Sequence, residues 1–156
     1  MKNLNSSNAV ALISHSHAQR PSPSYAKDLY ISDYFRLKKE LCELYGFHYE
    51  ILSPRYGIIN TIETIEPYDW TKWKFIEKWQ PWINGIEIIS EFYKPEYLLI
   101  LAGDHYARAM YWALEVSRVP SMTLVVPMRG LRIGEKKKWL KDKINEILQD
   151  ESKRNG

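Results

Sequence analysis

The stretch Tyr97-Leu98-Leu99-Ile100-Leu101-Ala102, followed at once by Gly103-Asp104-His105-Tyr106, decides the fold. An apolar run without alternation has no solvent face. It reads as a strand covered on both sides, and such strands belong to parallel sheets flanked by helices. The glycine and polar residues behind it turn the chain into a helix over about 107–117, so strand, turn and helix form half of a βαβ unit.

Working outward, Ala9–Ser14 reads as the first strand, Phe47–Leu52 as the second, Tyr97–Ala102 as the third and Met122–Pro127 as the fourth. Ser32 can cap a helix with the apolar face Tyr34, Phe35, Leu37, Leu41, Leu44 and Tyr45, closed by Gly46. Between 70 and 92, Trp73, Ile76, Trp79, Ile83, Ile86 and Ile89 recur at helical spacing, with Asp69 as a candidate N-cap and Pro81 and Gly85 marking a break. A last helix covers 135–150, and Ile58–Ile65 adds a short extended segment. This pattern predicts an α/β three-layer sandwich with a four-stranded, mostly parallel sheet in the order 2-1-3-4 and helices on both faces. Residues 9–150 then form a single α/β domain, with 1–8 and 151–156 as flexible termini.

The chain has 156 residues, 45% of them hydrophobic, and a net charge of +3, which excludes disordered, collagen-like and coiled-coil classes. Its single cysteine, Cys42, excludes an internal disulfide framework and any cysteine-based zinc site. With no export signal at the start and no apolar run long enough for a bilayer, the expectation is a cytoplasmic protein that does not engage a membrane. The basic charge is local: Arg129, Arg132, Lys136, Lys137, Lys138, Lys141 and Lys143 oppose only Glu135 and Asp142 in that segment. Such a patch can meet phosphates or be a solvated helix face.

In an open α/β sheet the ligand site lies beyond the carboxyl ends of the strands. The four exits are polar: Ser14-His15-Ser16-His17, then Ser53-Pro54-Arg55-Tyr56-Gly57, then Gly103-Asp104-His105-Tyr106, and Pro127-Met128-Arg129-Gly130. His15 and His17 share a side of an extended segment, yet no second ligand cluster accompanies them, so no metal is assigned. Glu66 and Asp69 could polarise water or hold a sugar hydroxyl, or else serve as a surface acid and a cap. The dinucleotide, P-loop, nucleophile-elbow and zincin motifs are all absent, and no cofactor is assigned.

Ala26-Lys27-Asp28-Leu29-Tyr30, Leu52-Ser53-Pro54-Arg55-Tyr56-Gly57, Ile65-Glu66-Pro67-Tyr68-Asp69, Leu101-Ala102-Gly103-Asp104-His105-Tyr106 and Pro127-Met128-Arg129-Gly130-Leu131-Arg132-Ile133-Gly134 recur in the order seen in a small bacterial and phage domain family, DUF6884. The resemblance spans roughly residues 10–141. Through it the chain is distantly similar to the DNA-binding peroxide-stress protein YaaA and to uracil-DNA-glycosylase-like folds, which implies a nucleobase, nucleoside or nucleic-acid context. Family members carry an S-C-x-x-x-K turn after the first strand; here His15 stands at the cysteine position and Gln19 at the lysine position. Lys27, Asp28, Tyr56, Gly57, Glu66, Tyr68 and Asp69 match the family pattern, although Lys27 and Asp28 would also suit a structural ion pair.

Three functions follow as expectations. The first is chemistry at a base or its N-glycosidic bond, with His15, Glu66, Asp69 and His105 as catalytic candidates. Ser14, Ser16, Lys27, Asp28, Ser53, Arg55, Tyr56, Gly57, Tyr68, Gly103, Tyr106, Arg129 and Gly130 would bind the ligand. The second is a non-catalytic nucleic-acid module using Arg132, Lys136, Lys137 and Lys138. The third is a sensor of a nucleotide-like ligand. Geometrically, His15 and His105 should share one end of the sheet, and Tyr56, Tyr68 and Asp69 should surround one pocket there.

Overall fold

The computed structural model describes residues 1, 3–73 and 79–155. Strand β1 (Ala9–Ser14) is central because all six of its residues are buried, which requires a neighbour on each edge and a helix layer on each face. It pairs in parallel with β3 (His48–Ser53) on one side and β6 (Tyr97–Leu101) on the other. Beyond β6 lies β7 (Thr123–Val125), also parallel.

The sheet has five strands, where four were expected. The extra one is β4 (Gly57–Asn60), which doubles back antiparallel on β3, giving the order β4-β3-β1-β6-β7. It went unassigned because four residues beginning at a glycine carry too little alternation to register as a strand. Ser53-Pro54-Arg55-Tyr56-Gly57 is therefore the turn of a hairpin, and Gly57 has φ of 83° there. A separate two-stranded ribbon joins β2 (Ser24–Tyr25) to β5 (Thr64–Ile65), ahead of the one-turn helix α1 (Ala26–Leu29).

Strand side chains alternate between faces. Ala11, Ile13, Ile51, Leu99 and Leu101 belong to one core cluster, with Phe35, Leu41, Leu140 and Ile144. Those four come from α2 (Asp33–Tyr45) and α5 (Ile133–Asn155). Val10, Leu12, Leu52, Leu98 and Ile100 form the other cluster, with Trp82, Ile86, Met110 and Ala113. These come from α3 (Gln80–Tyr93) and α4 (Asp104–Val116). Three layers result. Helix α2 starts where its sequence says: Phe35 N–H donates to Ser32 Oγ at 3.1 Å, and Gly46 ends it at φ 74°.

The 70–92 stretch divides as Pro81 implies, into a 3-10 turn (Trp70–Lys72) and α3, in whose first turn the proline lies. Ile76 falls outside the described residues. Gly85 does not break α3. It lets the helix approach β4: a Cβ added there would lie 2.6 Å from Ile58 Cδ1. The ends carry structure as well, since Leu4 packs into the first cluster and α5 runs to Asn155. No helix among the described residues is long and apolar enough to cross a membrane.

Helix propensity alone makes Gly85→Ala stabilising by about 1 kcal/mol. The collision with Ile58 reverses that sign, so the variant should lose about 1–3 kcal/mol by urea unfolding. Trimming the neighbour in Gly85→Ala/Ile58→Ala should recover part of the loss.

Candidate functional site

The chain leaves β1 through α2 on one face and leaves β3 through α3 on the other, so the winding reverses between β1 and β6. A crevice must open at their carboxyl ends. A cleft of about 530 Å³ lies there, lined by Ser14, His15, Ser16, Tyr34, Tyr106 and Lys137 among others. Among the described residues, no carboxylate lines it.

Beneath the cleft lies a residue that the strand-exit reasoning passes over. Lys38, on α2, has no solvent exposure at all. Its Nζ donates to the Ser14 carbonyl at 2.9 Å and to Ser14 Oγ at 2.6 Å, and sits 3.9 Å from the centre of the Tyr34 ring. Burial, reinforced by the like charge of Lys136, holds this amine far below the usual lysine range. Its signal in the sequence is spacing. Tyr34, Lys38, Leu41 and Tyr45 form an i, i+4, i+7, i+11 stripe, which puts the lysine on an inward face.

His15 places a half-buried imidazole in the cleft wall. Its Nδ1 lies 3.2 Å from the Ser16 carbonyl, which can only accept, so Nδ1 carries the proton and Nε2 is left as an acceptor. Burial pulls the imidazole down to about 4; the Ser16 bond opposes this, while Lys38 and His17 add to it. The ring packs edge-on against Tyr30 and Tyr106. His17 is turned outward and stacks on Trp70 at 3.7 Å, with 6° between the planes.

The Glu66–Asp69 segment reaches this end of the sheet because β4 and β5 fold the chain back. Gln19 fastens it: its amide nitrogen donates to the Tyr68 carbonyl at 3.1 Å while its oxygen accepts from Tyr68 N–H at 2.9 Å. Tyr68 Oη then meets Tyr30 Oη at 2.9 Å and Ser53 Oγ at 2.8 Å. Tyr56 packs edge-on against Tyr68, and its hydroxyl bonds the backbone of Glu66. Tyr30, Tyr56, Tyr68 and Ser53 thus form a hydroxyl cluster behind His15.

Other expected residues lie elsewhere. Asp69 does not join the tyrosines around one pocket: its exposed carboxylate accepts from the N–H and hydroxyl of Thr71 and caps the 3-10 turn. The Glu66 side chain is exposed. His105 occupies the same end of the sheet as His15 but is exposed on α4, with Nδ1 3.1 Å from Arg108 Nη2. Lys27 and Asp28 do not pair with each other, because Lys39 reaches the Lys27 carbonyl at 3.2 Å and the Asp28 carboxylate at 4.0 Å. Arg55 lies over the Tyr56 and Trp73 rings. Arg129 bonds Tyr111 Oη, and Gly130, at φ 75°, donates weakly to Asp104. Gly103 borders the amine of Lys136, 3.7 Å from where a Cβ would stand.

The basic segment also divides. Lys137 lines the cleft, whereas Lys138 is exposed and paired with Asp142 at 2.7 Å. Arg132 is exposed, and its backbone N–H donates to Glu135.

The family model described as a family of unknown function (DUF6884) matches residues 10–142. The chain belongs to that family. No curated protein and no solved structure matches it, and the expected relation to YaaA and the uracil-DNA-glycosylase-like folds finds no support in these comparisons.

The His15 environment sets a pH dependence. Its folded value lies below the ordinary 6.5, so the unfolded chain binds the proton more readily. Stability from this group is complete above pH 6.5 and is lost as pH falls toward 4. Relative to His15→Gln, the wild type should lose roughly 1–2 kcal/mol more between pH 7.5 and pH 5 in urea melts. Gln19→Ala removes both bonds to Tyr68 and should cost about 1–3 kcal/mol, with faster amide exchange at Tyr68.

Proposed function

We propose that the cleft binds a nucleobase-bearing small ligand, with His15 reading the base edge. One observation carries this reading: at the winding reversal, two aromatic walls, Tyr34 and Tyr106, flank a neutral imidazole of fixed tautomer and the Ser14 hydroxyl. Aromatic faces suit a planar base, and a bare ring nitrogen suits its N–H donors. The volume of about 530 Å³ is right for one nucleoside-sized molecule. The nucleobase context is the one that the distant resemblance to YaaA and the uracil-DNA-glycosylase-like folds suggests.

The geometry favours recognition over carboxylate-assisted cleavage of a glycosidic bond. Such cleavage needs an acid beside the sugar, and Glu66 and Asp69 are exposed outside the cleft lining. It also favours a small ligand over a nucleic-acid surface. Lys138 and Lys143 are paired with Asp142 and Glu146 and Lys137 lines the cleft, which reduces the cationic charge the basic segment presents to a nucleic-acid surface.

A thermal-shift screen with free bases, nucleosides and nucleotides tests the reading. A ligand at 100 times its dissociation constant adds about 2.7 kcal/mol of apparent stability. At least one should raise the midpoint, and His15→Gln and Tyr106→Ala should diminish the shift. A flat response across all three classes would overturn it.

A further inference from the structure

We infer that the cleft carries a phosphate subsite on its Ser14–Lys137 side, and that its ligand is therefore a nucleoside monophosphate rather than a free base or a nucleoside. The inference rests on the base-binding reading above and names its ligand class.

Three amines converge on the β1 and β6 exits. Lys137 lines the cleft, Lys136 lies against Gly103, and Lys38 is buried behind Ser14. None of the cleft's described lining residues is a carboxylate, so the charge of Lys136 and Lys137 has no counter-charge among them. The ligand must supply it.

Ser14 converts that charge into a directed contact. Its carbonyl and hydroxyl oxygens both accept from Lys38 Nζ, at 2.9 Å and 2.6 Å. An Oγ that accepts from the amine turns its own hydrogen away, and Ser14 lines the cleft. The hydroxyl is thus a donor backed by a buried amine, the arrangement that strengthens a hydrogen bond to an oxyanion. Burial disfavours the charged form of this amine, and the Tyr34 ring face, 3.9 Å from Nζ, together with an anion bound beyond Ser14 offsets that penalty. Lys38 is a positioning residue here: it is fully buried and acts through Ser14.

The four 5′-ribonucleoside monophosphates and their nucleosides, titrated against the full chain by calorimetry, decide the matter. The best monophosphate should bind at least about tenfold more tightly than its nucleoside. In Ser14→Ala, Lys137→Met and Lys38→Met that ratio should collapse toward one, whereas a merely structural role would weaken both ligands together. Should Lys38→Met fail to fold, the other two variants carry the test. Nucleosides that bind as tightly as monophosphates would overturn the phosphate subsite and leave the base-binding reading intact, as would a preference that survives in Ser14→Ala and Lys137→Met. Failure of every nucleoside and nucleotide to bind would remove both.

Discussion

A buried amine fixes the end of the central strand. Strand β1 must stop somewhere between two parallel neighbours, and its last carbonyl, on Ser14, would point into an apolar layer without a partner. Lys38 supplies that partner from α2 and takes the Ser14 hydroxyl as well. The cost of a lysine without water is met by two short bonds and an aromatic face, since no acid is bonded to it. Replacing it by an apolar residue would ease the burial and lose the direction in which Ser14 points. The lysine therefore fixes the orientation of the Ser14 hydroxyl at the strand end.

The tyrosine cluster answers a second constraint. A hairpin returning over the sheet end brings backbone that must be satisfied away from bulk water. Tyr56 bonds both backbone groups of Glu66, and Gln19 bonds both of Tyr68, so two side chains act as short strands against a loop. Ser53 then accepts or donates among three partners at the turn: Tyr68 Oη and the N–H groups of Arg55 and Tyr56. The outcome is a rigid back wall for His15 built from residues 15 to 68.

The parallel core was legible because its strands are apolar on both faces, and Ser32 and Gly46 punctuate α2 as their chemistry dictates. The antiparallel edge was not: β4 has the buried pattern of only two residues, Gly57 and Ile59, and its pairing depends on the Pro54–Tyr56 turn. Among site residues, those at strand exits were legible from topology. Lys38 was hidden among Arg36, Lys39 and Glu40, which pair or face solvent on the same helix, and only its spacing from Tyr34 sets it apart. Asp69 lies apart from the tyrosine pocket, and His105, at the expected end of the sheet, is exposed, because topology brings a residue to the rim but does not say which way its side chain turns. Local capping captured Asp69, and an i, i+3 contact with Arg108 engages His105.

His15 and Gln19 shape the turn after β1 in compatible ways. A lysine at position 19 has donors only, and could not accept from the Tyr68 N–H; a glutamine has both groups and closes the pair. The clamp therefore requires a side chain with both groups, as Gln19 has. It also carries no charge, which matters beside a cleft that already gathers Lys38, Lys136 and Lys137, where a further cation would repel. At position 15 an imidazole in a buried setting stays neutral at physiological pH, unlike a cysteine that would need to ionise to act. His15 and Gln19 thus give the turn after β1 neutral, directed hydrogen bonds.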